Sequence, residues 1–409
     1  MATFQTIDDL HLTGKVVLLR VDFNVPLKDG RVTDATRIVR SLPTIKDLLA
    51  KEAKIVILSH LGRPKGQRVA ELSLRPVATE LSNLLKKDVA FAEDCIGETA
   101  KSAIASLKNG DVLLLENVRY YKEETENDLP FAQKLADLGD VFVNDAFAVA
   151  HRAQSSVVGI TQYLPSAAGR LMQEELNALG KALEKPEKPL AALVGGSKIS
   201  TKLDLLNNLI SKVEILVLGG GMANTFMAAK GLSVGKSLYE PEMLDTAREI
   251  MANAETKGCN IMLPKDVVVA TELKENAPCQ TVAAQAVPED SMIFDLGPQA
   301  IAEIKDTLSM CKTVIWNGPL GVFETQPFDK GTNEIGICVA DLTKRGKILS
   351  VAGGGDTVSA LENAGVINGI SYVSTAGGAF LEWMEGKQLP GVVALEKSVP
   401  DVKKGKMII

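Results

Sequence analysis

The sequence has 409 residues, 46% hydrophobic and 4% aromatic, with a formal net charge of −6. That length predicts two domains rather than one core. The mildly acidic balance excludes a general nucleic-acid binder, and no apolar run reaches the ~18 residues of a membrane-spanning helix.

The cysteines, Cys95, Cys259, Cys279, Cys311 and Cys338, are odd in number and form no Cys-x-x-Cys, so they read as reduced thiols. The opening stretch MATFQTIDDLHLTGK holds no apolar signal core. A cytoplasmic chain is the expectation.

In chain order, short apolar runs alternate with segments of helical period. The first half predicts strands at 15–23, 54–60, 89–93, 111–117 and 140–146. Between the first two, TRIVRSLPTIKDLLAK predicts a helix over 36–51, and SAAGRLMQEELNALGKALE predicts another over 166–184. EKPEKP, 184–189, carries two prolines that end the second helix. Beyond it, strands are predicted at 190–196, 214–220, 260–270, 313–318, 347–354 and 370–375. Such alternation predicts an α/β fold of two doubly wound, Rossmann-like parallel-sheet lobes joined by a hinge helix. The expected boundaries are 1–170 for the first domain, 171–187 for the interdomain helix and linker, and 188–389 for the second domain.

Ligands of open α/β sheets bind outside the carboxyl ends of the strands. In the first half those ends read RVDFN, SHLGR, ENVRYY and NDAFAVAHR, carrying Arg20, His60, Arg63, Arg119, His151 and Arg152. Arginines converging on one face suit a small, highly anionic molecule, because each guanidinium forks onto carboxylate or phosphate oxygens. Asp22 with Asn24 suits either holding substrate hydroxyls or capping a turn. In the second half the ends read VGGSK, LGGG, WNGPLG, GGGD and STAGG, dominated by glycine. Bare backbone before a helix brings amide N–H groups and the helix dipole to phosphates. Lys198 and Lys202, four apart, suit either phosphate contact or a solvated helix start. LGGGMANTF suits either phosphate approach or close helix–strand packing. A basic lobe and a glycine lobe together suggest transfer between a phosphorylated small molecule and a nucleotide.

GLSVGKS, 231–237, is one residue short of a P-loop and follows no strand, and neither GGGM nor GGGD completes a dinucleotide fingerprint. The missing fingerprint counts against a dehydrogenase. A two-lobed solute-binding protein fits poorly with the second, glycine-lined lobe.

The ordered set RVDFNVPL, TRIVRSLPTI, SHLGRP, LLENVRYY, NDAFAVAHRA, GGSKISTK, GGGMANTF, WNGPLGVFE, GGGDTVSAL and STAGGAFLEWMEGKQLPGV runs from 20 to 393 and closely resembles the phosphoglycerate kinase family. The resemblance implies reversible, magnesium-dependent transfer of the acyl phosphate of 1,3-bisphosphoglycerate to ADP, giving ATP and 3-phosphoglycerate. By motif it implies phosphoglycerate contacts from Asp22, the Phe23 backbone, Asn24, Arg37, His60, Leu61, Gly62, Arg63, Arg119 and Arg152, with Arg37 at the reacting carboxyl. It implies Lys198 at the transferring phosphoryl and Lys202, Gly219, Gly220 and Asn317 around the nucleotide. Glu324 is implied at the ribose, Gly353, Gly354, Gly355 and Thr357 at the phosphates, and Asp356 on magnesium. Helix starts at Gly355 and Gly378 would help clamp the group in flight. The resemblance also implies lobe closure, a monomer with no nucleic-acid or membrane partner, and a first domain that regains 390–409. Ala376, Ser197, Ala148, Val149 and Gln154 depart from the commonest family wording, and none removes a charged group named above.

Overall fold

The computed structural model describes residues 4–397. It divides into two compact units: one runs to Leu176 and resumes at Gln388, and the other is Asn177–Lys387. Of the expected return segment 390–409, residues 398–409 lie outside the described residues.

The first unit holds β1 (Val16–Arg20), a small hairpin of β2 (Leu27–Lys28) and β3 (Arg31–Val32), then β4 (Lys54–Leu58), β5 (Val89–Ala92), β6 (Val112–Leu115), β7 (Val141–Asn144) and β8 (Ser166–Ala168). Its main sheet is parallel, in the order β5-β6-β4-β1-β7-β8. β1 reads VVLLR, apolar at every position up to Arg20, and such a strand must be covered on both faces. Val17 and Leu19 enter one core with Ile55, Ile57 and the helix residues Ile38, Ile45 and Leu48. Leu18 enters the opposite core with Val56, Phe142, Ala100 and Ile104. The period of two thus builds two cores from one strand.

The second unit has a parallel sheet of β9 (Leu190–Val194), β10 (Ile215–Leu218), β11 (Asn260–Met262), β15 (Thr313–Asn317), β16 (Leu349–Gly353) and β17 (Tyr372–Ser374). Between β11 and β15 come β12 (Asp266–Ala270), β13 (Gln280–Ala283) and β14 (Met292–Leu296), which pair antiparallel as β13-β12-β14. The parallel order is β11-β10-β9-β15-β16-β17. In each main sheet the first strand sits where the winding reverses: β1 lies between β4 and β7, and β9 between β10 and β15. Crevices form outside the carboxyl ends of strands at such points.

Three expectations change. The run 260–270 is two strands in two different sheets, divided at Leu263, Pro264 and Lys265, because Pro264 has no N–H to continue a ladder. Ser166–Ala168 is a strand paired with β7, and the helix begins later, at Arg170–Leu179, followed by a π turn at Gly180–Glu184. β13 and β14 were not expected as strands. In the first unit, the helix Pro390–Glu396 docks where Gly391 N donates to Ala150 O at 2.8 Å.

Leu18 is fully buried, and a Cβ added at Gly139 would lie 2.5 Å from its Cγ. Leu18→Ala therefore opens a cavity that neighbours fill poorly. The expected loss is ~2–5 kcal/mol, read as a lower denaturant midpoint by circular dichroism.

Candidate active site

In the first unit the site is assembled at the ends of β1, β4, β6 and β7. After Arg20, Val21 N still donates to Leu58 O at 3.1 Å, and Phe23 N donates to Ser59 Oγ at 2.9 Å. The chain then turns. Asp22 Oδ1 accepts from Asn24 N at 3.1 Å, while Asn24 Oδ1 accepts from Gly62 N at 2.8 Å. Asp22 and Asn24 therefore cap their own turn and bind the next loop. Asp22 keeps its other oxygen for Arg37, whose Nη1 donates to Oδ2 at 2.5 Å. Arg37 stands in the first turn of the helix Thr36–Ala50, which Asp34 Oδ1 starts by accepting from Thr36 N at 2.8 Å.

Arg119 Nη1 donates to Gly62 O at 2.9 Å. Asn117 braces the same loop by donating to Leu61 O at 2.7 Å and accepting from Arg119 N at 3.1 Å. Gly62 has φ +61°, a left-handed turn that glycine adopts without strain. Leu61 is buried, as is the Nε of Arg119, which has no partner among the described residues. Arg152 is exposed and donates from Nε to His151 Nε2 at 3.1 Å. Arg63 is exposed and makes no hydrogen bond or ion pair among the described residues, so the structure does not draw it into this network.

His60 stands at the centre, 2% exposed. Burial and the charges of Arg20, Arg119, Arg37 and Arg152 hold its pKa well below the usual value, so it is neutral at physiological pH. Its Nδ1 lies 3.1 Å from Arg20 Nη2. A guanidinium only donates, so Nδ1 accepts and the proton sits on Nε2, which faces Asp22 Oδ1 at 3.9 Å. Burial, then Arg20 and Arg152, bring Arg119 down to about 10. Four guanidinium groups from separate segments thus act on one imidazole.

Sequence reasoning missed the buried counter-charge. Glu124 is 0% exposed and accepts from the hydroxyl of Ser156 at 2.6 Å and from its N–H at 2.9 Å. Ser156 Oγ in turn accepts from Arg20 Nε at 2.8 Å. Burial pushes the Glu124 carboxyl up, and Arg20 acts against it.

In the second unit the glycines divide into two kinds. A Cβ on Gly195 would lie 1.7 Å from Pro319 O, one on Gly219 2.6 Å from Leu320 Cα, and one on Gly220 2.7 Å from Gly196 O. These glycines let neighbouring strand ends touch through backbone. A Cβ on Gly355 or Gly377 would meet nothing within 4 Å, and both residues are exposed, as is Gly378, which opens the helix Gly378–Met384. Gly353 ends β16, and Gly354 has φ +98° beside Asn317. Gly355 opens the helix Gly355–Asn363, with Asp356 exposed in its first turn.

Three assigned side chains are committed within the protein. Thr357 Oγ1 donates to Gly353 O at 2.9 Å and accepts from Gly318 N at 2.7 Å. Asn317 Nδ2 donates to Gly353 O at 2.8 Å, and its Oδ1 accepts from Lys202 Nζ at 2.7 Å. Lys202 also donates to Gly195 O at 2.7 Å. Burial brings its pKa down to about 8, with Asp356 pulling the other way. Lys198 and Glu324 are exposed.

The family model for phosphoglycerate kinase matches residues 7–387. The phosphoglycerate kinase of Cereibacter sphaeroides is 58% identical over 393 residues, covering 96% of this chain and 99% of that protein. That of Allorhizobium ampelinum is 56% identical over 398 residues, covering 97% and 100%. Among solved structures, the phosphoglycerate kinase of Coxiella burnetii has a TM-score of 0.90 at 45% identity, covering 96% of this chain and 99% of that one. The enzyme of Pyrococcus horikoshii gives 0.79 at 32% identity, covering 96% and 98%. The chain belongs to the phosphoglycerate kinase family. It is a phosphotransferase, and the activity of the family is the glycolytic exchange of a phosphoryl group between 1,3-bisphosphoglycerate and ADP.

The family implies a magnesium nucleotide, and the residues present fit one. Among the described residues no three His, Cys, Asp or Glu side chains gather as a metal cage. Magnesium characteristically takes one or two carboxylates and completes its shell with phosphates and water. Exposed Asp356, beside uncovered Gly355, is one carboxylate of that kind.

Gly195 is the most confined of these glycines, and the atom it meets is backbone. Gly195→Ala must push the ends of β9 and β15 apart. The expected cost is about 1–3 kcal/mol, measured as a lower thermal midpoint by calorimetry.

Proposed function

We propose that the first unit holds phosphoglycerate and the second the nucleotide. The observation that carries this reading is the convergence of Asp22, Arg37, Arg119 and Arg152 around one neutral histidine, His60. Asp22, Asn24 and His60 Nε2 orient the hydroxyl and backbone of the triose. The Phe23 backbone, Leu61 and Gly62 shape the wall, while Arg63, Arg119 and Arg152 take the phosphate remote from the reaction. Arg37 lies at the carboxyl that gives up its phosphoryl group. Lys198 meets that group, Lys202 leaves its carbonyl partners for the nucleotide phosphates, and Glu324 takes the ribose. Gly219, Gly220 and Asn317 set the strand ends that the nucleotide lies on. The uncovered backbone from Gly353 to Gly355, with the Thr357 N–H and the helix start at Gly378, faces the phosphates. Asp356 holds the magnesium, whose chemistry when bound is to offset phosphate charge.

The attacking group is a phosphate oxygen of ADP and the leaving group is a carboxylate. The bond from phosphorus to the carboxyl oxygen breaks as the bond to ADP forms. Neither group carries a proton at neutral pH, so no general base is needed. Positioning and charge stabilisation remain, supplied by cations and amide N–H groups. The two substrates are held by separate units, so turnover requires the units to bring them together and exclude water. The protein works as a cytoplasmic monomer on small molecules, without nucleic-acid or membrane partners.

A coupled assay with ATP and 3-phosphoglycerate is expected to show magnesium-dependent turnover. Arg37→Ala should lower kcat by at least ~10²-fold, the scale of one oxyanion donor. Near wild-type turnover would remove Arg37 from the reacting carboxyl.

The amine of Lys202 sets a pH limit. Burial lowers its pKa, so the charge disappears as pH rises through about 8, earlier than for a free lysine. The kcat/KM for the nucleotide should fall across that range, and in Lys202→Arg the fall should vanish because guanidinium stays charged. An unchanged profile in both proteins would exclude Lys202 from phosphate contact.

A further inference from the structure

Glu240 precedes the short turn Pro241–Met243 and is 5% exposed. A buried carboxylate needs partners, and this one finds them in the loop that leaves β9. Its Oε2 accepts from Ser200 N at 3.1 Å, and Oε1 accepts from the Ser200 hydroxyl. Burial opposes its ionisation, but hydrogen bonds from Ser200 and Ile199 and the charge of Lys198 outweigh it and hold the carboxyl below its usual range.

The other side of Glu240 is anchored too. Its N–H donates to Thr225 Oγ1 at 3.1 Å, and Thr225 Oγ1 donates to Gly221 O at 3.4 Å. Thr225 lies on the helix Gly220–Ala229, which starts at the end of β10. One residue therefore fastens the β9 loop to the helix after β10.

Ser200 lies midway between Lys198 and Lys202. The turn around it closes through Lys202 N to Ile199 O at 2.8 Å and Thr201 Oγ1 to Lys198 O at 3.0 Å. Lys198 is exposed on a long, flexible side chain. The reach of its ammonium group depends on where the backbone beneath it is held, and small displacements of a phosphate-binding group are expensive in rate.

We infer that Glu240 is a positioning residue for phosphoryl transfer: by gripping Ser200 it fixes the turn that presents Lys198 and Lys202. Glu240 touches no substrate and acts only through that turn. This rests on the roles proposed above for the two lysines.

Steady-state kinetics with ATP and 3-phosphoglycerate test it, on Glu240→Gln, Ser200→Ala and the double variant, with thermal midpoints alongside. Ser200 is exposed, so Ser200→Ala removes a hydroxyl without opening a core. Each single variant should lose about ten-fold in kcat with the KM for 3-phosphoglycerate unchanged. The double variant should be no worse than the worse single one, because both weaken the same grip of Glu240 on Ser200. Wild-type kcat in Ser200→Ala and Glu240→Gln overturns the inference. So do losses that multiply in the double variant, or losses that follow a falling thermal midpoint. Lys198→Ala separates the two levels: wild-type kcat there overturns the lysine assignment itself, whereas an impaired Lys198→Ala beside unimpaired Ser200 and Glu240 variants overturns only the role of Glu240.

Discussion

A guanidinium taken out of water is tolerable only if its N–H groups meet acceptors and its charge meets an anion, and Arg20 ends β1 at 0% exposure. Its acceptors are Ser156 Oγ, the Val21 carbonyl and His60 Nδ1, and its anion is Glu124, reached through Ser156. The rest of the first site follows in order. Because Arg20 occupies Nδ1, His60 carries its proton on Nε2. That N–H faces Asp22, and Asp22 aims Arg37. A single burial thus sets a tautomer, a carboxylate and the half-buried cation beyond it. The site lies beyond the carboxyl ends of the strands, but its geometry is written in the core.

The second unit orders its strand ends by another route. Its strand ends carry little side chain, and contact between backbones does the ordering. Gly195 against Pro319 and Gly219 against Leu320 leave no room for a Cβ. With β9 and β15 held so close, Thr357 Oγ1 and Asn317 Nδ2 both reach the Gly353 carbonyl, which fixes the end of β16. Thr357 and Asn317 therefore shape the surface that the uncovered Gly355 presents, and their side chains are not free to leave it.

Much of this was legible in the sequence because apolar strands end abruptly. Arg20 closes VVLLR, and His60 and Arg119 lie in the short polar stretches that follow KIVIL and VLLL; the topology then brings those ends together. Glu124 was not legible. It is one of three acids in Lys122–Glu126, and nothing in that pattern marks which one is buried. The glycines were half legible: a run of them signals bare backbone, but whether the space is filled by Pro319 O or left open depends on a neighbour distant in sequence. β8 was hidden because Ser166, Ala167 and Ala168 have weak strand preference, and pairing with β7 decides their conformation. The boundary between β11 and β12 was readable at Pro264. The antiparallel pairing beyond it was not, since it depends on the later β13 and β14.

Charge links the two sites. His60 stays neutral, Arg119 sits near 10 and Lys202 near 8, and in each case burial is the leading cause. The cations are therefore held in surroundings that do not fully solvate them. In the first unit they also repel one another, since Arg20 and Arg152 depress Arg119. An arriving polyanion relieves both costs, whereas a neutral ligand of the same shape relieves neither. Discrimination for phosphate and carboxylate then comes from the protein's own unfavourable electrostatics as well as from its hydrogen bonds. Uncovered glycine backbone adds N–H groups without adding charge, and this suits the proposed role of the second unit: with Asp356 as the magnesium ligand, a further cluster of arginines would compete with the metal for it.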